Sequence, residues 1–111
     1  MYASVRKYGV HPDQVADLMH RVDEDFVSRL EQMPGFISYQ AIDAGTDRAG
    51  EARVFAVTIC SDMDAAERSA EIAAEFVRDE LEDIDVERIE AATGEVSVSR
   101  AKSDVLEAAH A

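Results

Sequence analysis

The sequence predicts one α+β domain with the element order β-α-β-β-α-β, an antiparallel sheet, and both helices on one face of that sheet. Two stretches have apolar residues at helical spacing, and the segments around them are rich in β-branched and aromatic residues. The predicted strand centres near Val5 and Val57 are about as far apart along the chain as the helix centres near Val22 and Ala73. Two β-α-β units in tandem are the plan of the ferredoxin-like fold. The 111 residues suffice for one such domain.

The first half of the chain is predicted to contain one strand and one long amphipathic helix. Residues 2–8 roughly alternate and are rich in strand formers, and Gly9 ends this strand. Pro12 suits the first turn of a helix, because its fixed φ is already helical and its missing N–H needs no partner there. The helix is predicted to end before Pro34, which cannot continue it. Its apolar positions are Val15, Leu18, Met19, Val22, Phe26, Val27, Leu30 and Met33.

A hairpin is predicted next. Residues 36–44 and 53–61 carry the strand-forming side chains, and residues 45–51 between them are typical of a turn. The two strands are therefore expected to be antiparallel neighbours joined by a rather long loop.

The second helix and a last strand complete the predicted domain. Asp62 or Asp64 is predicted to cap the helix, because a short carboxylate can accept the unpaired N–H groups of its first turn. The last strand is clearest at residues 94–100. We place the domain at residues 1–100 and interpret residues 101–111 as a polar, alanine-rich tail. The apolar stripe of the helix comprises Ala66, Ala70, Ala73, Phe76, Val77, Leu81 and Ile84.

The third strand predicts a homodimer. Val54 and Ala56 point to one face of the sheet, whereas Phe55, Val57 and Ile59 point to the other. A sheet with both helices on one face leaves its second face open, and an apolar open face needs a cover. A chain of this length cannot supply one, so we expect two copies to pack sheet to sheet. The alternative is that this second face is only mildly apolar and faces solvent.

Charge and composition exclude several classes of protein. With 11 Lys and Arg against 24 Asp and Glu, the net charge is −13, which disfavours binding to nucleic acid and to anionic membranes. No stretch approaches the length of a transmembrane segment, and no apolar run follows Arg6 and Lys7, so no signal peptide is expected. A single cysteine, Cys60, excludes an intramolecular disulfide. The sequence therefore favours a cytoplasmic protein.

A polar cluster on the first two strands is the candidate ligand site. Ser4, Arg6 and Tyr8 share one face of the first strand, and Tyr39 lies on the second. A guanidinium beside phenol groups and a hydroxyl suits a carboxylate or phenolate ligand, and a phenol can also donate to an enolate. The alternative is that Tyr8 and Tyr39 fill the core of the dimer while Arg6 pairs with one of the 24 carboxylates.

Ser69 is the fourth candidate ligand-binding residue, after Arg6, Tyr8 and Tyr39. It lies on the apolar stripe of the second helix, where its hydroxyl can face a pocket or bond back to a helix carbonyl. No metal site is expected, because the best-spaced pair, His20 and Glu24, offers only two ligands. No cofactor is expected either, since the sequence contains no glycine-rich phosphate loop and no metal-spaced cluster. We assign no catalytic residue.

Five segments match one known family in their order and spacing: residues 2–8, 34–39, 65–69, 73–78 and 94–96. On these segments the chain resembles, over about residues 2–100, the antibiotic biosynthesis monooxygenase-like group of the dimeric α+β barrel superfamily. The resemblance implies two sheets closing into a barrel across a homodimer, with the helices outside and a pocket in each subunit near the helix–sheet junction.

The resemblance implies a fold more firmly than an activity. The superfamily includes cofactor-free monooxygenases that act on polyketide anthrones, haem-degrading proteins, isomerases and dehydratases. Haem degraders use an Asn, a Trp and a His, and anthrone monooxygenases also use Trp and Asn, but this chain contains no Asn and no Trp. By position, the Trp site falls near Ser69, the His site near Asp79, and the Asn site near Arg6 or Tyr8. Function does not follow from the fold alone.

Two functional hypotheses remain open at this point. The first is a cofactor-independent monooxygenase-like enzyme or a related small enzyme, such as an isomerase, that acts on a small metabolite of aromatic type. The family resemblance and the cluster of Arg6, Tyr8 and Tyr39 favour it. The second is a non-catalytic, dimeric ligand-binding or stress-responsive protein. This second hypothesis is favoured because the positions that correspond to the Asn, Trp and His of the characterised relatives hold other residue types in this chain.

Overall fold

A computed structural model describes residues 1–102 and confirms the predicted order of strands and helices. The predicted tail, residues 101–111, lies outside the described part except for its first two residues. The strands are β1 (Tyr2–Val10), β2 (Phe36–Thr46), β3 (Ala52–Cys60) and β4 (Val86–Glu95), and the long second helix is α3 (Met63–Glu80).

The first helical stretch is built in pieces. A short 3-10 turn at Pro12–Gln14 leads into α1 (Val15–Arg21), which passes through a π-helical segment at Val22–Phe26 into α2 (Val27–Glu31). The predicted single helix is therefore continuous but not uniformly α-helical. Phe26, at the end of the π segment, and Leu30, in α2, both lie in the core, where they are 3% and 0% exposed.

The sheet is fully antiparallel with strand order β2-β3-β1-β4, which is the ferredoxin-like topology. Both helices cover the same face, which we call the inner face. Side chains alternate along β1 and β3, so Arg6, Tyr8, Val54 and Ala56 lie buried on the inner face.

The outer face carries the other half of each strand, and no element within residues 1–102 covers it. Val5 is 39% exposed there, on the face that alternation predicts for it, and it pairs with Val57 across β1 and β3. Phe55 and Ile59 are half-buried on the same side of β3. Ile42 and Ile89, on the two edge strands, are also exposed. A sheet with apolar residues on both faces is therefore confirmed.

Several predicted boundaries are wrong. β1 continues past Gly9 to Val10, and β2 extends to Thr46 rather than ending at residue 44. The last strand is Val86–Glu95 rather than residues 94–100, so Val96 and Val98 lie beyond it. The second helix ends at Glu80, and Leu81 and Ile84 are buried in the loop that follows. These two residues continue the helical spacing of the apolar stripe, but they contribute to the core from an irregular segment. Capping by Asp62 is confirmed, since its carboxylate accepts the Ala65 N–H at 2.8 Å.

Gly35, between the first helix and β2, is predicted to be required for stability. Its φ is +86°, and a Cβ added there would lie 2.8 Å from the Ala65 Cβ. We expect Gly35→Ala to lower the free energy of unfolding by about 2–4 kcal/mol, because backbone strain and overpacking both apply. Urea unfolding would measure this loss.

A matched control is Gly45→Ala. Gly45 also has a positive φ, +79°, but a Cβ added there has no atom within 4 Å. We expect Gly45→Ala to lower the free energy of unfolding by the backbone-strain contribution alone, about 1–2 kcal/mol. Equal losses for the two variants would contradict the proposed clash against Ala65.

Candidate functional site

A cavity lies between the helices and the inner face of the sheet. Its volume is about 40 Å³, or about 440 Å³ when all empty space, including the part open to solvent, is counted. Among the described residues that line it, Arg6 is the only charged one, and Tyr8 and Tyr39 supply the phenol groups. Such a cavity suits a small apolar molecule with one polar or anionic group. The apolar lining includes Leu18, Met19, Val22, Phe26, Phe76 and Val77.

Arg6 is buried without a carboxylate partner. Its side chain is 1% exposed, and within residues 1–102 it forms no ion pair. Its Nη1 donates to the Ser4 hydroxyl at 2.7 Å and its Nη2 donates to the Thr58 hydroxyl at 3.2 Å. Its Nε is buried and has no hydrogen-bond partner there. The predicted alternative, pairing of Arg6 with a carboxylate, is therefore not seen in this part of the chain.

This arrangement is energetically unusual. Moving a charge out of water costs several kcal/mol unless an opposite charge or a full set of hydrogen bonds offsets the loss. The two neutral hydroxyls satisfy part of the guanidinium and leave its Nε unpaired. An anion in the cavity would supply both the missing charge and the missing acceptor.

The sheet register explains how the guanidinium fits. Ala56 and Ala91 flank Arg6 on the neighbouring strands, and these small residues leave room for a long side chain to lie along the inner face. Ser4 and Thr58 are directly paired across β1 and β3, so their hydroxyls lie side by side. The arginine reaches back along its own strand to this pair of acceptors.

Tyr39 lies next to the same group. It pairs with Thr58 across β2 and β3, and its ring meets the Phe26 ring edge-on with 5.4 Å between the centroids. Burial raises the pKa of Tyr39 to about 12, although the nearby positive charge of Arg6 acts in the opposite direction. The phenol is therefore protonated at neutral pH and can donate a hydrogen bond, but it cannot act as a general base.

Three of the four candidate residues lie together, and one does not. Arg6, Tyr8 and Tyr39 all line the cavity, whereas Ser69 is not part of its lining. The Ser69 hydroxyl is fully buried and donates to the Ala66 carbonyl at 2.6 Å. It therefore takes the packing role that was the predicted alternative, and we leave it out of the proposed site.

Thr58 is the site residue that sequence reasoning missed. It stands two residues beyond Ala56, so strand alternation places it on the inner face. Strand alternation could therefore have identified Thr58 as a residue of the inner face. The pairing of Thr58 with Ser4 could not be predicted, because the register between β1 and β3 is a tertiary property.

Comparisons with known proteins agree with this fold. No family model matches the chain, and no curated protein matches its sequence. Among solved structures, a dimeric ferredoxin-like protein from an uncultured marine organism is similar at 15% identity, with a TM-score of 0.68. That match covers 92% of this chain and 100% of the other.

Two further solved structures connect the fold to oxygenases. A protein from Bacillus cereus, described as a candidate antibiotic biosynthesis monooxygenase, matches at 17% identity and a TM-score of 0.63, over 91% of this chain and 95% of its own. SnoaB from Streptomyces nogalater, a cofactor-independent oxygenase, matches at 15% identity and a TM-score of 0.57, over 91% and 97%. The chain has the fold of the antibiotic biosynthesis monooxygenase-like proteins.

Within this fold, the cavity occupies the predicted helix–sheet junction. Its walls come from the first helix, α3 and the inner face, so one chain supplies every residue described above. Among residues 1–102, no helix combines the length and apolar character needed to cross a bilayer. The same residues contain no group of three or more His, Cys, Asp and Glu side chains that could hold a metal ion.

Proposed function

We propose that this chain is a cofactor-independent, monooxygenase-like enzyme that acts on a small aromatic molecule carrying an acidic O–H or C–H group. The observation that carries the proposal is the buried Arg6, which lines an apolar cavity without a carboxylate partner among the described residues. The similarity in fold to a cofactor-independent oxygenase supports it. A cytoplasmic location belongs to the same proposal, since the lone Cys60 is buried and needs no oxidising compartment.

The proposed chemistry begins with an anion. A carbon acid that has lost its proton is electron-rich enough to react with O₂ without a metal or flavin. The overall change converts a CH₂ group and one O₂ into a carbonyl group and one water, so the substrate supplies all the electrons. Arg6 would stabilise the enolate before it reacts, and the protonated Tyr39 would donate to the same oxygen.

A second candidate function is ligand binding without catalysis. The specific observation in its favour is that the described residues of the cavity lining include no carboxylate or histidine that could act as a general base, while Tyr39 stays protonated. On this alternative the chain is a dimeric ligand-binding or stress-responsive protein, and the cavity holds its ligand unchanged. Under the enzyme proposal, the substrate must be acidic enough to ionise beside Arg6 without such a base.

The proposal includes a homodimer. Two copies packed through their outer sheet faces would bury Val5, Val57 and the neighbouring apolar residues of both chains. A solved structure of similar fold is described as dimeric, which supports this arrangement. The helices would then lie outside a closed barrel, and each chain would keep its own cavity.

Oxygen uptake with anthrone as the probe tests the enzyme proposal. We expect the protein to accelerate O₂ consumption, and we expect a product heavier than anthrone by one oxygen less two hydrogens. Arg6→Met should lower the rate by about 10²–10³-fold, the usual effect of removing one group that stabilises an oxyanion. Mass spectrometry and an oxygen electrode measure the two quantities.

The control is His20→Ala, which changes an exposed residue outside the cavity lining and should leave the rate unchanged. Binding of anthrone without oxygen uptake would favour the ligand-binding alternative. Absence of both binding and uptake, for anthrone and for simpler phenols, would contradict both functions.

A further inference from the structure

We infer that the cavity accepts 1,3-dicarbonyl compounds that carry an aromatic ring, and that Arg6 binds both oxygens of their enolate. This substrate class deepens the proposed function and rests on it, because it takes Arg6 to stabilise an enolate. It meets two requirements of the site, which are a ligand with two neighbouring oxygens and a ligand that ionises without a general base.

The guanidinium of Arg6 keeps a pair of free donors. It has five N–H groups, two on each terminal nitrogen and one on Nε. Nη1 donates one of them to the Ser4 hydroxyl at 2.7 Å, and Nη2 donates one to the Thr58 hydroxyl at 3.2 Å. Nε has no hydrogen-bond partner among residues 1–102. Nε and a remaining terminal N–H therefore form a fork of two parallel donors, which fits a ligand with two oxygens side by side.

The two hydroxyls hold the guanidinium from the side away from the cavity. Ser4 and Thr58 are buried, and neither lines the cavity, whereas Arg6 does. The part of Arg6 that faces the cavity is therefore the rest of its side chain, Nε included. Tyr39 lines the same cavity beside Arg6, and its phenol stays protonated because burial raises its pKa to about 12. It supplies a third donor to the same ligand oxygens.

The second requirement follows from the rest of the lining. Its described residues include no carboxylate or histidine, and its titratable groups are Arg6, Tyr8 and Tyr39. A simple ketone forms an enolate only by losing a C–H proton, which is slow without a base. A 1,3-dicarbonyl compound exists largely as its enol, so its enolate forms by loss of an O–H proton to water at the open side of the cavity. The positive charge of Arg6 favours the ionised form.

One class of carbon acid meets both requirements. The enolate of a 1,3-dicarbonyl compound spreads its charge over two oxygens, which lie side by side in the folded-back conformation and can each accept from one donor of the fork. Its central carbon is the electron-rich atom that O₂ attacks, and the CH₂ group and one O₂ become a third carbonyl group and one water. A carboxylate also fits the fork, but it has no such carbon and binds as an unreactive competitor. The rings of Phe26 and Phe76 in the lining suit an aromatic substituent.

Three probes that share a phenyl group test this substrate class. Benzoylacetone is a 1,3-dicarbonyl compound, butyrophenone has the same carbon skeleton with one carbonyl group, and 3-phenylpropanoate is a carboxylate. We expect calorimetry to show that benzoylacetone binds at least about 10-fold more tightly than butyrophenone, and that phenylpropanoate competes with it. The enolate absorbs at longer wavelength than the enol, and its absorbance should show the pKa of bound benzoylacetone lowered by about one unit, a 10-fold shift in its ionisation constant.

Arg6→Lys keeps a positive charge but removes the fork. We expect it to weaken benzoylacetone binding by about 10-fold and to leave butyrophenone binding nearly unchanged, because lysine cannot donate two parallel N–H groups. Arg68→Lys is the matched control, since Arg68 lies half-exposed on α3, outside the cavity lining, and should change neither affinity. Thermal unfolding verifies that both variants fold. If Arg6→Lys does not fold, the comparison of benzoylacetone with butyrophenone in the wild-type protein decides.

The outcomes separate the substrate class from the proposed function. A preference for benzoylacetone that Arg6→Lys removes supports the class, and O₂ uptake with a product heavier by one oxygen less two hydrogens supports the enzyme as well. The same preference without uptake supports the class but favours ligand binding over catalysis. Equal binding of benzoylacetone and butyrophenone overturns the class, while oxidation of anthrone would still support the enzyme. If no probe binds and anthrone is not oxidised, the class and the proposed function both fail.

Discussion

Replacing Val57 by aspartate is expected to convert the proposed homodimer into a monomer. Val57 lies on the outer face of β3, an interior strand of the sheet, and pairs with Val5 on one side and Gln40 on the other. In a sheet-to-sheet dimer, the new carboxylate would be buried without a partner, and such a charge costs several kcal/mol. Native mass spectrometry should show the wild-type protein at twice 12.2 kDa and the variant at 12.2 kDa.

The control for this experiment is Val98→Asp. Val98 is 81% exposed and lies beyond the end of β4, so the same change in charge should leave the dimer intact. The single chain should tolerate Val57→Asp, because Val57 is only half-buried before association. Circular dichroism would confirm that the variant is folded. A folded Val57→Asp variant that remains dimeric would place the interface elsewhere, and a monomeric wild-type protein would leave the outer face without its proposed cover.

Phe26→Ala is expected to cause the largest loss of stability among the substitutions considered. Phe26 is 3% exposed, and its ring lies 5.4 Å from the rings of both Tyr39 and Phe76, measured between centroids. Removing a buried aromatic ring loses its transfer free energy and leaves a cavity, which together cost about 3–5 kcal/mol. Urea unfolding of the wild-type and variant proteins measures the difference.

The same substitution should be visible in the titration of Tyr39. Burial is the main reason that the pKa of Tyr39 is raised to about 12, and the Phe26 ring supplies part of that burial. Opening this wall should move the pKa of Tyr39 back toward the ordinary tyrosine value of about 10. Absorbance of tyrosinate at alkaline pH follows the change. Phe26→Leu, which keeps most of the volume, should lose about 1 kcal/mol and shift the titration less.

An unchanged stability or an unchanged Tyr39 titration in Phe26→Ala would contradict the described packing. Either result would mean that the ring does not form the wall of the cavity. Stability and titration are independent measurements, so a general loosening of the fold can be distinguished from a local opening around Tyr39.

The predicted fold is correct where a repeating pattern and its physical cause coincide. Alternation along β1 and β3 places Arg6 and Tyr8 on one face and Val5 and Val57 on the other, as the structure confirms. The pattern is reliable because successive side chains of a strand point to opposite faces regardless of their neighbours. The same rule places Arg6 and Tyr8 on one face of the sheet, so most of the candidate site could be predicted from the sequence.

The incorrect predictions share another physical cause. Leu81 and Ile84 fit the spacing of the preceding helix, but they are buried in a loop beyond its last residue. Spacing records which residues are buried, not which backbone carries them. Three shifts in strand register could not be predicted either: one between Lys7 and Tyr8 on the β1–β4 side, and two in β2, at Phe36/Ser38 and Asp43/Thr46. Such irregularities depend on how strands meet, so no local pattern predicts them.

The π-helical segment at Val22–Phe26 has a consequence for how this gene can change. A π turn holds one residue more than an α turn, so the segment is equivalent to a one-residue insertion in the helix. Loss of one codon within this segment would close the π turn into an α turn and leave the later helical residues at their present angles. The fully buried Leu30 would therefore stay in the core. Loss of one codon within Val27–Glu31 has no such outlet, because it would rotate the helical residues after it by about 100°.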